Sequence, residues 1–165
     1  MTVTIRRART SDVREIRTLV APLAERRVLV SKDIVAYFEG LQEFRVAEED
    51  GRVVGCGALH VMWDDLAEIR TLAVSDEHLG KGVGGALLES LAADAVELGV
   101  ERLFCLTFET EFFARHGFTE IEGQAVDPDV YVELLRSYDE GVAEFLDLER
   151  VKPNTLGNTR MLRQL

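Results

Sequence analysis

Positive charge is scarce in this chain. Nineteen Lys and Arg stand against thirty Asp and Glu, a formal charge of −11. That excludes general nucleic-acid binding, which needs a basic face. It also means that an anionic ligand is repelled at long range. Any anion site must be built locally, from backbone amides and a few placed cations. Long apolar runs are missing too: nothing approaches the roughly 20 residues of a membrane span. The opening MTVTIRRARTSD has no signal-peptide core. We therefore expect a cytoplasmic protein without a membrane partner. The two cysteines, Cys56 and Cys105, both lie in apolar strand-like runs. They read as buried, reduced thiols and not as a disulfide or a metal pair. His60 and His116 lack ligand spacing, so both read as structural and no metal is expected. With three prolines and no repeat, low-complexity tract or linker, residues 1–165 read as a single domain.

What is present is an ordinary globular composition, 47% hydrophobic and 30% charged. VTIRRA (3–8) alternates like a strand. TSDVREIRTLV predicts a helix capped by Thr10 or Ser11, with Val13, Ile16, Leu19 and Val20 on one face and Pro22 at its end. A second helix is expected from Ser31, with Ile34, Val35 and Phe38 at helical spacing. FRVAEEDGRVVGCGALHV reads as a hairpin turning at Asp50–Gly51. LAEIRTLAV (66–74) is a further strand. VGGALLESLAADAVEL is a helix closed by Gly99. The strand ERLFCLTF, a short helix ending at Gly117, a strand from FTEIEG, a helix around VYVELLRSYDEGVAEF, a turn at Pro153–Asn154 and a last strand in NTRMLRQL complete the chain. Hairpin strands before one βαβ crossover predict an α+β fold: a mixed, mostly antiparallel sheet with helices on its faces.

Four glycines, Gly80, Gly82, Gly84 and Gly85, crowd the junction between strand and helix. GKGVGG satisfies the GxGxxG fingerprint of dinucleotide folds. That fingerprint, however, starts immediately after the first strand, whereas here SDEHL intervenes and three strands come earlier. A P-loop needs Ser or Thr after Gly-Lys, and Lys81 is followed by Gly82. The remaining reading is a diphosphate cradle on free helix-N-terminal N–H groups, with Lys81 and His78 adding local positive charge.

LAVSDEHLGKGVGGALLESLAADAVELGV closely resembles the acyl-CoA loop of the GNAT superfamily of N-acyltransferases. The usual loop begins with a basic or glutamine residue; here that place holds Leu79, while its two small residues fall on Gly82 and Gly84. The resemblance implies acetyl-CoA as cosubstrate, held by Leu79, Gly80, Lys81, Gly82, Val83, Gly84 and Gly85. It further implies that the backbone of Leu72, Ala73 and Val74 pairs with the pantetheine arm. RVLVSK, VVGCGALH, AEIRTLAV, ERLFCLTFETEFFARHGF and LGNTRML are similar to the acetyltransferase part of N-acetylglutamate synthases, in the short stand-alone bacterial form. Those enzymes acetylate the α-amino group of L-glutamate, the first step of arginine biosynthesis.

This resemblance assigns Glu68 as general base and Thr107 as a hydroxyl holding a water. It implies that Phe112–Phe113 replace the tyrosine acid of many relatives. A thiol of pKa near 8.5 leaves as thiolate at pH 7 for only about 2 kcal/mol, so that loss is tolerable. For the acceptor carboxylates the expected groups are Lys32, Arg160 with Asn158 and Thr159 as neutral donors, and Arg70; Arg26 and Arg27 are read as surface. L-glutamine competes with L-glutamate as acceptor. The acidic surface also suits a polyamine, an antibiotic or a protein N-terminus, and a non-catalytic acyl-CoA-binding regulator is the alternative outside enzymes. A homodimer is compatible with the superfamily.

Overall fold

The computed structural model describes residues 2–25 and 32–165. The expected helix start at Ser31 and the surface placement of Arg26 and Arg27 lie outside the described residues. Strands β1 (Thr4–Arg7), β2 (Phe44–Glu49), β3 (Arg52–Trp63), β4 (Leu66–Val74), β5 (Arg102–Thr107), β6 (Thr119–Glu120) and β7 (Thr159–Gln164) form one sheet. Its order is β1-β2-β3-β4-β5-β7-β6. β4 and β5 pair in parallel, whereas β1–β2, β2–β3, β5–β7 and β6–β7 are antiparallel. The α+β expectation, a mixed and mostly antiparallel sheet flanked by helices, is what the chain builds. Two compact units share this sheet: residues 1–60 with 69–99, and residues 61–68 with 100–165.

In the first unit, α1 (Val13–Glu25) and α2 (Ile34–Glu39) bury Val13, Ile16, Val20 and Tyr37 against Phe44, Val46, Cys56, Ala58 and Ala73. Each such side chain removed from water stabilises the fold by about 1.5–3 kcal/mol. The hairpin between β2 and β3 turns where expected, with Asp50 at φ 50° and Gly51 at φ 78°. α3 (Val83–Glu97) lies close on β3. A Cβ at Gly55 would meet Leu87 Cδ1 at 2.9 Å, and one at Gly57 would meet Leu91 Cδ1 at 2.9 Å.

Three local readings are corrected here. Pro22 sits inside α1 and does not end it. Proline's fixed φ is helical, so the helix continues at the cost of one backbone donor and a crowded Thr18 carbonyl, and Leu23 beyond it still packs on the core. The start of α1 is capped by neither Thr10 nor Ser11. A 3-10 turn precedes it, and Asp12 Oδ2 accepts the Arg9 N–H at 2.7 Å. Arg6 donates to both Asp12 oxygens, at 2.8 and 3.0 Å, and this ion pair holds the Asp12 carboxyl below its usual range. α2, only six residues long, buries Tyr37 and leaves Val35 and Phe38 in solvent.

In the second unit, Leu66 of β4 and Phe104 of β5 meet Leu134, Val142, Phe145 and Leu146. The Phe104 and Phe145 rings stack edge to face at 4.8 Å. The helix expected around VYVELLRSYDEGVAEF is two helices, α5 (Pro128–Leu134) and α6 (Glu140–Phe145). Asp139 breaks the run because its Oδ1 caps α6, accepting the Val142 N–H at 2.9 Å. Pro153 lies in a short helix, α7 (Lys152–Thr155), where a turn was expected; proline is well placed in a first helical turn. The remaining helix, α4 (Thr110–Arg115), ends before Gly117 as the sequence predicts. Cys56 and Cys105 are free and buried.

Candidate active site

Within the first unit, β4 ends in a strained segment. Thr71 has φ 54°, a left-handed conformation that β-branched residues almost never adopt and that costs roughly 1–2 kcal/mol. Its surroundings hold it there. The Cys56 thiol donates to the Thr71 carbonyl at 3.3 Å, and the Ala73 N–H donates to the same sulfur. Lys32 Nζ donates to Thr71 Oγ1 at 3.5 Å and lies 5.9 Å from the centre of the Tyr37 ring. Burial pushes the Cys56 thiol up to about 12, so it remains a protonated donor at physiological pH. Backbone strain of this kind persists only where the surroundings over-determine it, and it clusters at functional sites.

The glycine junction follows. A 3-10 turn, Asp76–His78, leads to Leu79, which is 60% exposed. Gly80 (φ 74°) and Gly82 (φ 82°) are both left-handed, which explains why glycine stands there. A Cβ on either would meet no protein atom within 4 Å, so the space beside both is open to a ligand. The first intrahelical bond is Ala86 N–H to Gly82 O at 3.0 Å, which leaves the amides of Val83, Gly84 and Gly85 without a helical acceptor. These N–H groups and the positive end of the 15-residue α3 form a cradle that fits a diphosphate. Lys81 is exposed on its rim. His78 is committed elsewhere: Nδ1 lies 2.7 Å from Ser75 Oγ and Nε2 lies 2.7 Å from Glu49 Oε2.

Within the second unit, Glu68 is a carboxylate with 4% exposure. The parallel ladder sets Glu68 opposite Phe104, and the antiparallel ladder sets Leu106 opposite Arg160. Alternation along the strands then puts Glu68, Phe104, Leu106 and Arg160 on one face. The Arg160 guanidinium lies over the rings of Phe104, at 5.0 Å, and Phe145, at 5.7 Å, and donates to Gly123 O at 3.2 Å. Burial lowers its pKa, opposed by the charges of Asp147 and Glu68. Burial likewise raises the Cys105 thiol, reinforced by Glu68.

Thr107 and Thr159 are paired on the opposite face at the end of the β5–β7 ladder. Thr107 Oγ1 accepts the Glu109 N–H at 2.8 Å, which leaves its own proton to donate. Asn158 Nδ2 donates to Asn154 O at 3.4 Å, while its Oδ1 is buried with no partner among the described residues. Asn158 thus presents an acceptor where the sequence suggested a donor. Arg70, two residues beyond Glu68 on β4, is half-buried. His60 Nδ1 lies 2.8 Å from Glu43 Oε2, and the His116 ring lies 4.9 Å from that of Phe112, tilted by 48°. Among the described residues, no group of three His, Cys, Asp or Glu side chains could hold a metal.

Sequence reasoning missed three parts of this arrangement. Nothing in a Thr marks a left-handed kink, and Cys56 gives no sign of its bond to Thr71. Ser75 and His78, three residues apart in a turn, were a visible cue; Glu49, 29 positions from His78, was not.

The geometry can be set beside known proteins. The family model described as "Acetyltransferase (GNAT) family" matches residues 12–129. An amino-acid acetyltransferase of Mycobacterium tuberculosis is 58% identical over 161 residues, covering 96% of this chain and 92% of that protein. A crystal structure from the same organism, in complex with CoA, superposes with a TM-score of 0.95 at 57% identity, covering 98% of this chain and 99% of the other. N-acetylglutamate synthase from Neisseria gonorrhoeae, solved with CoA and N-acetyl-glutamate, gives a TM-score of 0.79 at 28% identity; it matches all of this chain but only 35% of that one.

Proposed function

This chain belongs to the GNAT acetyltransferase family and is an amino-acid acetyltransferase that uses acetyl-CoA; we propose that its acceptor is L-glutamate, whose α-amino group it acetylates as the first step of arginine biosynthesis in the cytoplasm. On this reading the 165 residues work as one catalytic domain. The observation that carries it is that Glu68 and Arg160 share one sheet face of the second unit, a buried carboxylate on β4 and a guanidinium over two aromatic rings on β7.

The chemistry follows from the charges. The acceptor arrives as an ammonium and must lose a proton before its nitrogen can attack. Glu68, buried in β4, takes that proton directly or through a water; Thr107, which the sequence suggested would hold that water, lies on the opposite face of the sheet by strand alternation. Arg160 fixes an acceptor carboxylate, since guanidinium matches a carboxylate's two oxygens. Lys32 and Arg70 are the cations that the first unit offers. In the first unit, the amides of Val83 to Gly85 with Gly80, Gly82, Lys81 and Leu79 hold the diphosphate of acetyl-CoA. The backbone of Leu72, Ala73 and Val74 orients the thioester carbonyl. Nitrogen attacks the carbonyl carbon, the C–S bond breaks, the nitrogen releases its second proton to water as the amide forms, and the departing thiolate takes up a proton from water.

The test is release of free CoA thiol from acetyl-CoA with L-glutamate, L-glutamine and spermidine in separate reactions. Release with glutamate exceeding that with glutamine, and none with spermidine, is expected. Release with spermidine alone would overturn the amino-acid reading.

A further inference from the structure

We propose that Ser75, His78 and Glu49 form a buttress that presets the glycine loop, making His78 a positioning residue for acetyl-CoA binding. His78 closes the last turn before Leu79 and Gly80. Both its ring nitrogens are engaged, Nδ1 with Ser75 Oγ at 2.7 Å and Nε2 with Glu49 Oε2 at 2.7 Å. A carboxylate can only accept, so Nε2 carries a proton and the tautomer is set. On a neutral ring Nδ1 then accepts the Ser75 hydroxyl. The three side chains are half-buried, and the bond to His78 holds the Glu49 carboxyl below its usual range. Two backbone bonds tie the same turn down: Ser75 N–H to Val54 O and His78 N–H to Ser75 O, each 2.9 Å.

The loop needs such an anchor. Its ligand is recognised by backbone N–H groups, whose value depends on their direction, and it contains two left-handed glycines with wide conformational freedom. Freedom lost on binding weakens affinity; freedom already lost in the free protein does not. Glu49, at the end of β2 and one strand removed from β4, is where the turn is fastened, and His78 is the link.

The proposal rests on the glycine loop being the acetyl-CoA site, and direct titration keeps the two apart. Acetyl-CoA is titrated calorimetrically into wild type, His78→Ala, Glu49→Ala and Glu49→Gln without acceptor. Then kcat and KM for acetyl-CoA are measured at saturating acceptor. His78→Ala and Glu49→Ala are expected to bind about tenfold more weakly and to raise KM to match, with kcat within about twofold of wild type. Glu49→Gln keeps an acceptor for the Nε2 proton and is expected to bind as wild type. If His78→Ala does not fold, Ser75→Ala takes its place with the same expectation at smaller amplitude. Wild-type affinity in both Glu49→Ala and the His78 or Ser75 variant would overturn the buttress, as would a fall in kcat at unchanged affinity. Wild-type protein that fails to bind acetyl-CoA would instead overturn the reading of the loop.

Discussion

Replacing Gly82 by alanine separates what the glycine loop does for folding from what it does for binding. Gly82 stands at φ 82° before the first turn of α3, and Gly99 stands at φ 90° just beyond its last. Neither would bring a Cβ within 4 Å of another protein atom, so alanine clashes with nothing at either site and the cost is conformational. Left-handed alanine costs roughly 1–2 kcal/mol. Reduced freedom of the unfolded chain returns about 0.4–1 kcal/mol of that. Each variant is therefore expected to unfold about 0.5–1.5 kcal/mol more easily in urea. Binding should divide them. At Gly82 the new methyl enters the open space beside the cradle, and any relaxation turns the amides that follow. Losing one charge-assisted hydrogen bond costs about 1.5–3 kcal/mol, or roughly tenfold to a hundredfold in acetyl-CoA affinity. Gly99→Ala should bind as wild type in the same calorimetric titration. Equal affinity in Gly82→Ala and wild type, or equal weakening in both variants, would refute the reasoning.

Glu68→Gln is expected to lower kcat by about 10²-fold or more, and the loss should shrink as pH rises from about 7 to 9 and the amine deprotonates unaided; a pH–rate profile reads both. Arg160→Met should raise the KM for the amino-acid acceptor about tenfold or more while leaving acetyl-CoA affinity unchanged. Asp12 has a lowered folded pKa, so its contribution to stability is present above its unfolded value of 3.8 and is lost as pH falls through the lower folded one. Urea midpoints of wild type and Asp12→Asn should accordingly differ at neutral pH and draw together as pH falls through 3.8 and then through the lower folded value.

Much of the fold was legible because its signals are local. Asp50–Gly51 between apolar runs fixes a hairpin, and Gly99 and Gly117 stop helices by adopting left-handed geometry that the positions before them cannot. The loop at Gly80–Gly85 was legible for the same reason, since crowded glycines at a strand–helix junction leave few other readings. Distant partners decided the rest. Pro22 was read as a stop, yet one lost hydrogen bond did not outweigh the burial of Leu23. Phe38 fits the apolar spacing as well as Tyr37 does, and only the core of the first unit selects Tyr37. Glu68 announced a carboxylate but not its burial, which depends on the strands beside it. His78 was read as charge for a phosphate; Glu49, brought alongside by the sheet, makes it a link. The kink at Thr71 is the extreme case, held by a cysteine 15 residues away and invisible to propensity.

The central claim is the acceptor, and competition measures it most directly. Acetyl-CoA is offered with equal concentrations of L-glutamate, L-glutamine and spermidine, and the acetylated products are quantified by mass spectrometry at early times. Their ratio is the ratio of kcat/KM values, independent of enzyme concentration. N-acetylglutamate as the dominant product, abolished in Glu68→Gln, is the result expected here. Acetylspermidine in excess of both amino-acid products, or N-acetylglutamine in excess of N-acetylglutamate, would contradict it.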